Sequence, residues 1–449
     1  MLKNILKYSS IELIAKGLNK LVLFLLPLFL DSINYGIVGL LLAIELFLPL
    51  IMLLGFERVV LRFYSEKLKF PNFKGTIFNL ISISALFALS ILGGLYLSGI
   101  KDFFLISIFP DFFLIIILIY FQNLYLINLN MLRVDEKHSN YFRVKLIYQI
   151  IKLFSIFSFV IITKDYFGYI FASIFSISIT VFIYFSDSIY LNFKRFNKET
   201  FKKFIYFSWP FIMSGVASGI ITNIDKFFIE SYMSINDVAF YTLAYSFGAT
   251  IMFSYIGVSV YMEPLIYRQN NQKDKNEMLN KYFFFTSIFG IFSFLLLTLA
   301  SNFLLPIFYS SEYKTALEYI PLIGICFLLS PHYLKANYDM IFEQKVKKIA
   351  LISILCAVAN IVLNYLLIPI YGLKGAVLAF FVSSFLQTSL YVIYAKGNKF
   401  KKDLSYLLAL IIILFLYIFY NMDLYLIILM LFTYLCIYLV NNNIYKWKK

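Results

Sequence analysis

The chain has 449 residues, 61% of them hydrophobic and 14% charged, with a formal net charge of +15. A soluble chain of this length is roughly half apolar and about a quarter charged, so an ordinary globular protein is excluded. The basic residues fall between apolar blocks rather than in one patch, so the positive balance does not mark a nucleic-acid binder.

The apolar blocks are about 20 residues long, enough to cross a roughly 30 Å hydrocarbon layer as a helix. Fourteen spans are predicted: 9–30, 37–56, 76–98, 103–130, 144–163, 167–191, 204–230, 238–262, 281–303, 319–342, 349–370, 375–395, 404–421 and 424–441. All must be helices, because a backbone in lipid has to satisfy its own hydrogen bonds. The first follows Lys3 and Lys7 but is broken by Glu12, Lys16 and Lys20, unlike the apolar core of a cleavable signal. Phe and Tyr are abundant together with Ile, Lys and Asn, which reads as compositional bias before it reads as sugar-stacking surface. Cys326, Cys356 and Cys436 lie inside apolar blocks without metal or redox spacing.

Loop charges give an orientation. The N-terminus, every second loop and the C-terminus hold 30 of the 39 Lys and Arg residues. The alternate loops hold only Lys101, Lys164, Lys314 and Lys374. Both termini are therefore expected on the cytoplasmic side of the membrane. The loops on the other side are short, which leaves no extracytoplasmic domain for an active site.

The chain also matches itself. At a shift of 202 residues Gly17 meets Gly219, Gly55 meets Gly257, and Ser32-Ile33-Asn34 meets Ser234-Ile235-Asn236. At 209, NLNML (128–132) lies over NYDMI (337–341) and Asn123 over His332; at 207, FGYIFA (167–172) lies over KGAVLA (374–379). Spans 1–6 and 7–12 read as two copies of one six-helix unit, both entering from the same side. The expected architecture is an all-α polytopic membrane protein with two parallel lobes around a central cavity and two additional C-terminal helices. Its divisions would be residues 1–191, 192–396 and 397–449.

Charged residues within spans are costly, about 2.5–3.5 kcal/mol each on insertion scales, so by default they face a cavity or a partner. Glu12, Lys16 and Lys20 are four residues apart and share one helix face. Their repeat counterparts are Ser214, Ser218 and Thr222, and Asp225 and Lys226 continue that stripe. His332, Lys335 and Asp339 share a face of span 10, opposite in the repeat to Asn123, Asn128 and Asn130 of span 4. Lys152 and Glu45 are single charges on spans 5 and 2. For Asp225 and Lys226 a second reading stands beside the cavity: a helix starting at Phe204 has risen about 33 Å there, so Lys226 could snorkel outward. Gly215 and Gly219 form a small-xxx-small pair that would pack span 7 on a neighbour. Lys16, Lys20, Lys226 and Lys335, with Asn123 and Asn128, are the candidate substrate-binding residues. Glu12, Asp225, His332 and Asp339 are the candidate protonatable groups. A cationic excess suits an anionic ligand.

No nucleotide-binding loop, metal spacing or catalytic triad is present, and with only His138 and His332 few such constellations could be built. No cofactor is expected beyond a coupling ion, H+ or Na+.

FSWPFIMSGVASGIITNIDKFFIESYMSINDVAFYTLAYSF (207–247) resembles the opening of the second half of the bacterial polysaccharide and O-antigen flippases of the MOP exporter superfamily. LNMLRVDEKHSNY (129–141) is similar to the cytoplasmic end of their fourth span. The resemblance implies transport of an undecaprenyl-pyrophosphate-linked oligosaccharide across the bacterial inner membrane by alternating access, alongside other polysaccharide-assembly proteins. A multidrug antiporter and a peptidoglycan-precursor flippase are the rivals within the superfamily, and a membrane glycosyltransferase the rival outside it. In some multidrug relatives an Asp on the first helix of a lobe is the cation site; here only Asp225 of span 7 matches it.

Overall fold

The computed structural model describes residues 2–395 apart from 190–194, 268, 270 and 344, with side chains from Ile14 onward apart from His138 and a few others. The expected spans 404–421 and 424–441 lie outside the described residues. The described chain is helical almost throughout. In order it forms α1 (Leu2–Leu25), α2 (Ser32–Met52), α3 (Phe56–Phe63), α4 (Phe73–Leu97), α5 (Phe113–Val134), α6 (His138–Thr163), α7 (Tyr166–Phe185) and α8 (Lys198–Tyr232). It continues with α9 (Ile235–Gly248), α10 (Ile251–Tyr267), α11 (Gln272–Leu299), α12 (Leu305–Phe308), α13 (Lys314–Phe327), α14 (Ser330–Phe342), α15 (Val346–Tyr371) and α16 (Leu373–Ala395). A two-residue antiparallel hairpin, β1 (Asp102–Phe103) with β2 (Ile106–Ser107), joins α4 to α5.

Eleven helical segments among the described residues are long and apolar enough to cross a membrane. With α1, whose charges dilute its apolar content, they follow the order of the first twelve predicted spans. Two predicted spans are each broken. The eighth is split between α9 and α10 around Ala249-Thr250, and the tenth at Leu328-Leu329 before Pro331 in the first turn of α14. Proline lacks the N–H that would continue the ladder and is accommodated where a helix begins. The seventh is longer than predicted: α8 has 35 residues, about 52 Å, so its basic start extends well past the hydrocarbon layer.

By backbone contacts the chain divides into two compact units, Ile14–Ala239 and Phe240–Lys449 together with Met1–Leu13. Helix α8 is grouped with the first of these because it packs on α2 and α3. Its small residues explain this. A Cβ on Gly219 would stand 3.2 Å from Phe47 Cδ2, and one on Gly215 3.6 Å from Leu50, so α2 lies directly on the Gly215/Gly219 face. Gly219→Leu should therefore overpack this seam and cost about 1–3 kcal/mol. Thermal unfolding of the purified variant in detergent checks this, and an unchanged midpoint would refute the close packing.

Each repeated Ser-Ile-Asn segment lies at the start of a helix, with the capping side chain one position apart in the two copies. Asp31 accepts from the Asn34 N–H at 2.8 Å to cap α2, and Ser234 accepts from the Asp237 N–H at 3.2 Å to cap α9. They also touch: Ser32 Oγ donates to Asn236 Oδ1 at 2.9 Å, and Gly36 faces the Ile235 carbonyl at a distance no side chain would permit. At the other end of this unit Phe204 is fully buried among Phe56, Phe63, Phe70 and Phe73, which anchors α3 and the start of α4 to α8.

In the second unit α15 pairs with α16, where Asn360 Nδ2 donates to Ser383 Oγ at 2.9 Å. Helices α10, α11 and α14 meet in a core of Met262, Ile266, Leu279, Tyr282 and Tyr338. Here Tyr282 and Ser259 share a hydrogen bond of 2.8 Å, and Tyr338 stands edge-on to Tyr282.

Candidate functional site

The polar stripe of the first unit is carried by α1 and α8. Lys16 is exposed and Lys20, one turn later, is partly buried. Both lie on the continuous helix α1, as does Glu12, whose side chain is outside the described residues. On α8, Asp225 is 1% exposed and Lys226 4%, and the Lys226 N–H donates to Asp225 Oδ1 at 3.0 Å. Lys226 is near enough to Lys20 to act on it electrostatically, and Asp225 acts on Lys226 in turn. The structure thus brings Lys20, Asp225 and Lys226 into one cluster. It also removes the snorkelling alternative, because a lysine reaching for the interface would be exposed. The turn of the hairpin after α4 touches this end of α8, with Phe104 packed against Phe227 at 5.0 Å between ring centres.

Two charges that looked solitary in the sequence are partners. Lys152 of α6 donates to Asn19 Oδ1 of α1 at 3.2 Å, and Gln122 Nε2 of α5 donates to Glu45 Oε2 of α2 at 3.4 Å. Glu45 and Lys152 interact electrostatically, with Tyr148 and Tyr169 around them. Asn19 and Gln122 carry no charge and escaped sequence reasoning. Asn19 sits between Lys16 and Lys20, so the network orients the helix that presents those lysines.

The Asn pair of span 4 is not one site. Asn123 is 1% exposed, and neither end of its amide finds a hydrogen-bond partner in the protein. Asn128 donates to the Leu124 carbonyl at 2.8 Å and lines a cavity at the start of α4.

In the second unit His332 is 3% exposed and meets Phe283 of α11 edge-on at 4.6 Å, while the Lys335 ammonium lies 5.4 Å from the same ring. Asp339 was expected on that face as a protonatable group. Instead its Oδ1 is 2.5 Å from Nζ of Lys275, a residue that its place between spans 8 and 9 assigns to a loop. Helix α11 begins at Gln272 and carries Lys275 into the protein, where it is 0% exposed. Glu343 stands 3.8 Å from Lys275 and also pairs with Lys345, and the Phe342 ring is 4.5 Å from the Lys275 ammonium. Asp339 is thus committed to a buried ion network with Lys275 and Glu343.

Two ammonium groups held together raise the free energy of an empty site and stabilise one carrying an anion. Lys20 and Lys226, with exposed Lys16 one turn away, form such an arrangement. Among the described residues no group of three or more His, Cys, Asp or Glu side chains could hold a metal ion.

Residues 1–261 match the family profile described as polysaccharide biosynthesis protein, and residues 210–366 match the MatE profile. No curated protein sequence matches the chain. Among solved structures the chain is similar to the lipid II flippase MurJ in its inward closed conformation. That match has a TM-score of 0.69 at 20% identity and covers 94% of this chain and 96% of that one. It is also similar to the MATE multidrug transporter DinF-BH, with a TM-score of 0.63 at 17% identity over 89% of this chain and 96% of that one. An outward-facing MATE transporter of the MOP superfamily matches with a TM-score of 0.56 at 12% identity, over 90% of this chain and 96% of that one. At these identities the likeness is one of fold.

Proposed function

Since the chain belongs to the polysaccharide biosynthesis protein family, we propose that it is a flippase for an undecaprenyl-pyrophosphate-linked oligosaccharide of the O-antigen or capsule type. It would work in the bacterial inner membrane with both termini cytoplasmic. The single observation that carries the ligand class is the gathering of Lys20, buried Lys226 and exposed Lys16 on α1 and α8. A pyrophosphate would neutralise that excess. Within the same unit the unsatisfied amide of Asn123 offers a contact for a hydroxylated sugar. Alternating access would carry the headgroup between leaflets. Asp225 and His332 are the groups through which a coupling ion, H+ or Na+, would bias the cycle, Asp339 being engaged by Lys275.

The test replaces Lys16, Lys20 and Lys335 together by Ala and measures surface glycan and the amount of protein in the membrane. Surface glycan should be abolished with the protein level retained. Normal glycan would refute the site. A deletion that kills the cell would point to the peptidoglycan precursor as cargo. Drug sensitivity without a glycan defect would point to an antiporter.

A further inference from the structure

Two cavities lie end to end along the seam of α4 and α5. The first, about 520 Å3, opens at the start of α4 and is bounded by Asn72, Lys74, Asn128, Asp187 and Arg195 among others. The second, about 330 Å3, is bounded by Ala85, Leu89, Ile116, Ile117 and Tyr120 and is almost entirely hydrocarbon. The chain makes them neighbours. Phe78 lines the first and Ser82, one helical turn on, the second; Ser188 lines the first and Ile189 the second. One turn of helix is about 5.4 Å, so a single extended molecule can occupy both.

The basic chamber is built rather than incidental. The Asn197 N–H donates to Thr76 Oγ1 at 3.1 Å and Thr200 Oγ1 donates to the Pro71 carbonyl at 3.0 Å, which ties the segment after Arg195 to the first turn of α4. Gly75 lies so close under the Arg195 backbone that any side chain there would collide with it. The Arg195 backbone is thus fixed against the first turn of α4, which carries Lys74, and in the lining of the cavity these two cations stand against one carboxylate, Asp187.

We propose that this seam binds an anionic phospholipid, its phosphate in the Lys74/Arg195 chamber and an acyl chain in the groove between α4 and α5. The order of chemistry along α4, basic and polar first and purely apolar next, is that of a lipid read from headgroup inward. The chamber adjoins two of the basic loops, 58–74 and 194–203, that face the cytoplasm by their charge, and basic pockets between helices on that side suit anionic headgroups. A free phosphate would leave the apolar groove without a role, and a zwitterionic lipid brings no net charge to complement the two cations in the lining. None of Lys16, Lys20 and Lys226 lines the seam, and Asn128, the substrate-binding candidate that does, spends its amide N–H on the Leu124 carbonyl, so the lipid is a resident partner separate from the cargo.

The test is native mass spectrometry of the full chain in detergent, titrated with phosphatidylglycerol or phosphatidylcholine. Wild type should hold one phosphatidylglycerol in preference to phosphatidylcholine. Lys74→Ala with Arg195→Ala should weaken that adduct by at least about tenfold. Ala85→Phe, which fills the groove without changing charge, should weaken it as well. Lys202→Ala with Lys203→Ala removes the same charge from the same basic segment and should leave the adduct unchanged. Equal loss in this control would reduce the effect to general surface charge and overturn the site. So would retention in the Lys74/Arg195 pair, or displacement of the lipid by inorganic phosphate alone.

Discussion

Replacing Lys275 by Met should cost about 3–5 kcal/mol of folding free energy, because it leaves the Asp339 carboxylate buried without its counter-charge. Few substitutions elsewhere in the chain should do as much. Lys275 is fully buried, and it engages Asp339 of α14 and Glu343 just after it while resting on the Phe342 ring. A companion Asp339→Leu change should recover most of the loss, since an ion pair replaced by apolar groups of similar volume is often near neutral. The measurement is the thermal midpoint of each variant in detergent, with its level in the membrane. If Lys275→Met alone melts with wild type, the pair carries no stability. If the double variant is as unstable as the single, the defect lies in packing rather than in an orphaned charge.

Lys152→Met should be the second severe change, also about 3–5 kcal/mol. Lys152 is 7% exposed, donates to Asn19 of α1 and interacts electrostatically with Glu45 of α2. Removing it strands a carboxylate within the membrane, where one hydrogen bond from Gln122 at 3.4 Å is weak compensation. Glu45→Gln in the same chain should restore stability, because a neutral amide asks for no counter-charge. The pair should then separate stability from transport. The restored variant should fold, while flipping in proteoliposomes stays below wild type, because Asn19 no longer fixes the helix that carries Lys16 and Lys20. Full transport in the restored variant would show that the network serves stability alone.

Both predictions concern residues whose importance the sequence displayed only in part. Glu45, Lys152, Asp225, Lys226 and Asp339 were conspicuous because lipid penalises a charge wherever it stands in a span. What each was paired with was not. Helical periodicity places Asp339 on a face with His332 and Lys335, yet its partner is Lys275, 64 positions earlier and on another helix. Lys275 was hidden by the opposite argument, since a lysine among the loop residues 268–281 fits the positive-inside pattern without further explanation. Lys226 could not be divided between snorkelling and burial by counting residues along α8; its 4% exposure decides it.

The sequence by itself determined that this is a polytopic helical membrane protein, its first twelve spans in order, and the cationic excess within the spans. These follow from rules acting on each segment alone, namely the thickness of the hydrocarbon layer, the obligation of a backbone in lipid to hydrogen-bond to itself, and the cost of burying charge. The Gly215/Gly219 face belongs here too, as small residues at helical spacing announce close packing whatever the partner. Only the tertiary structure decided that the partner is α2, that Glu45 answers Lys152, that Asp339 answers Lys275 and that Lys20 stands near Lys226. It also assigned α8 by contact to the unit that precedes it. Pairing is a property of two segments at once, and nothing in the composition or period of either one encodes which of its neighbours will complete it.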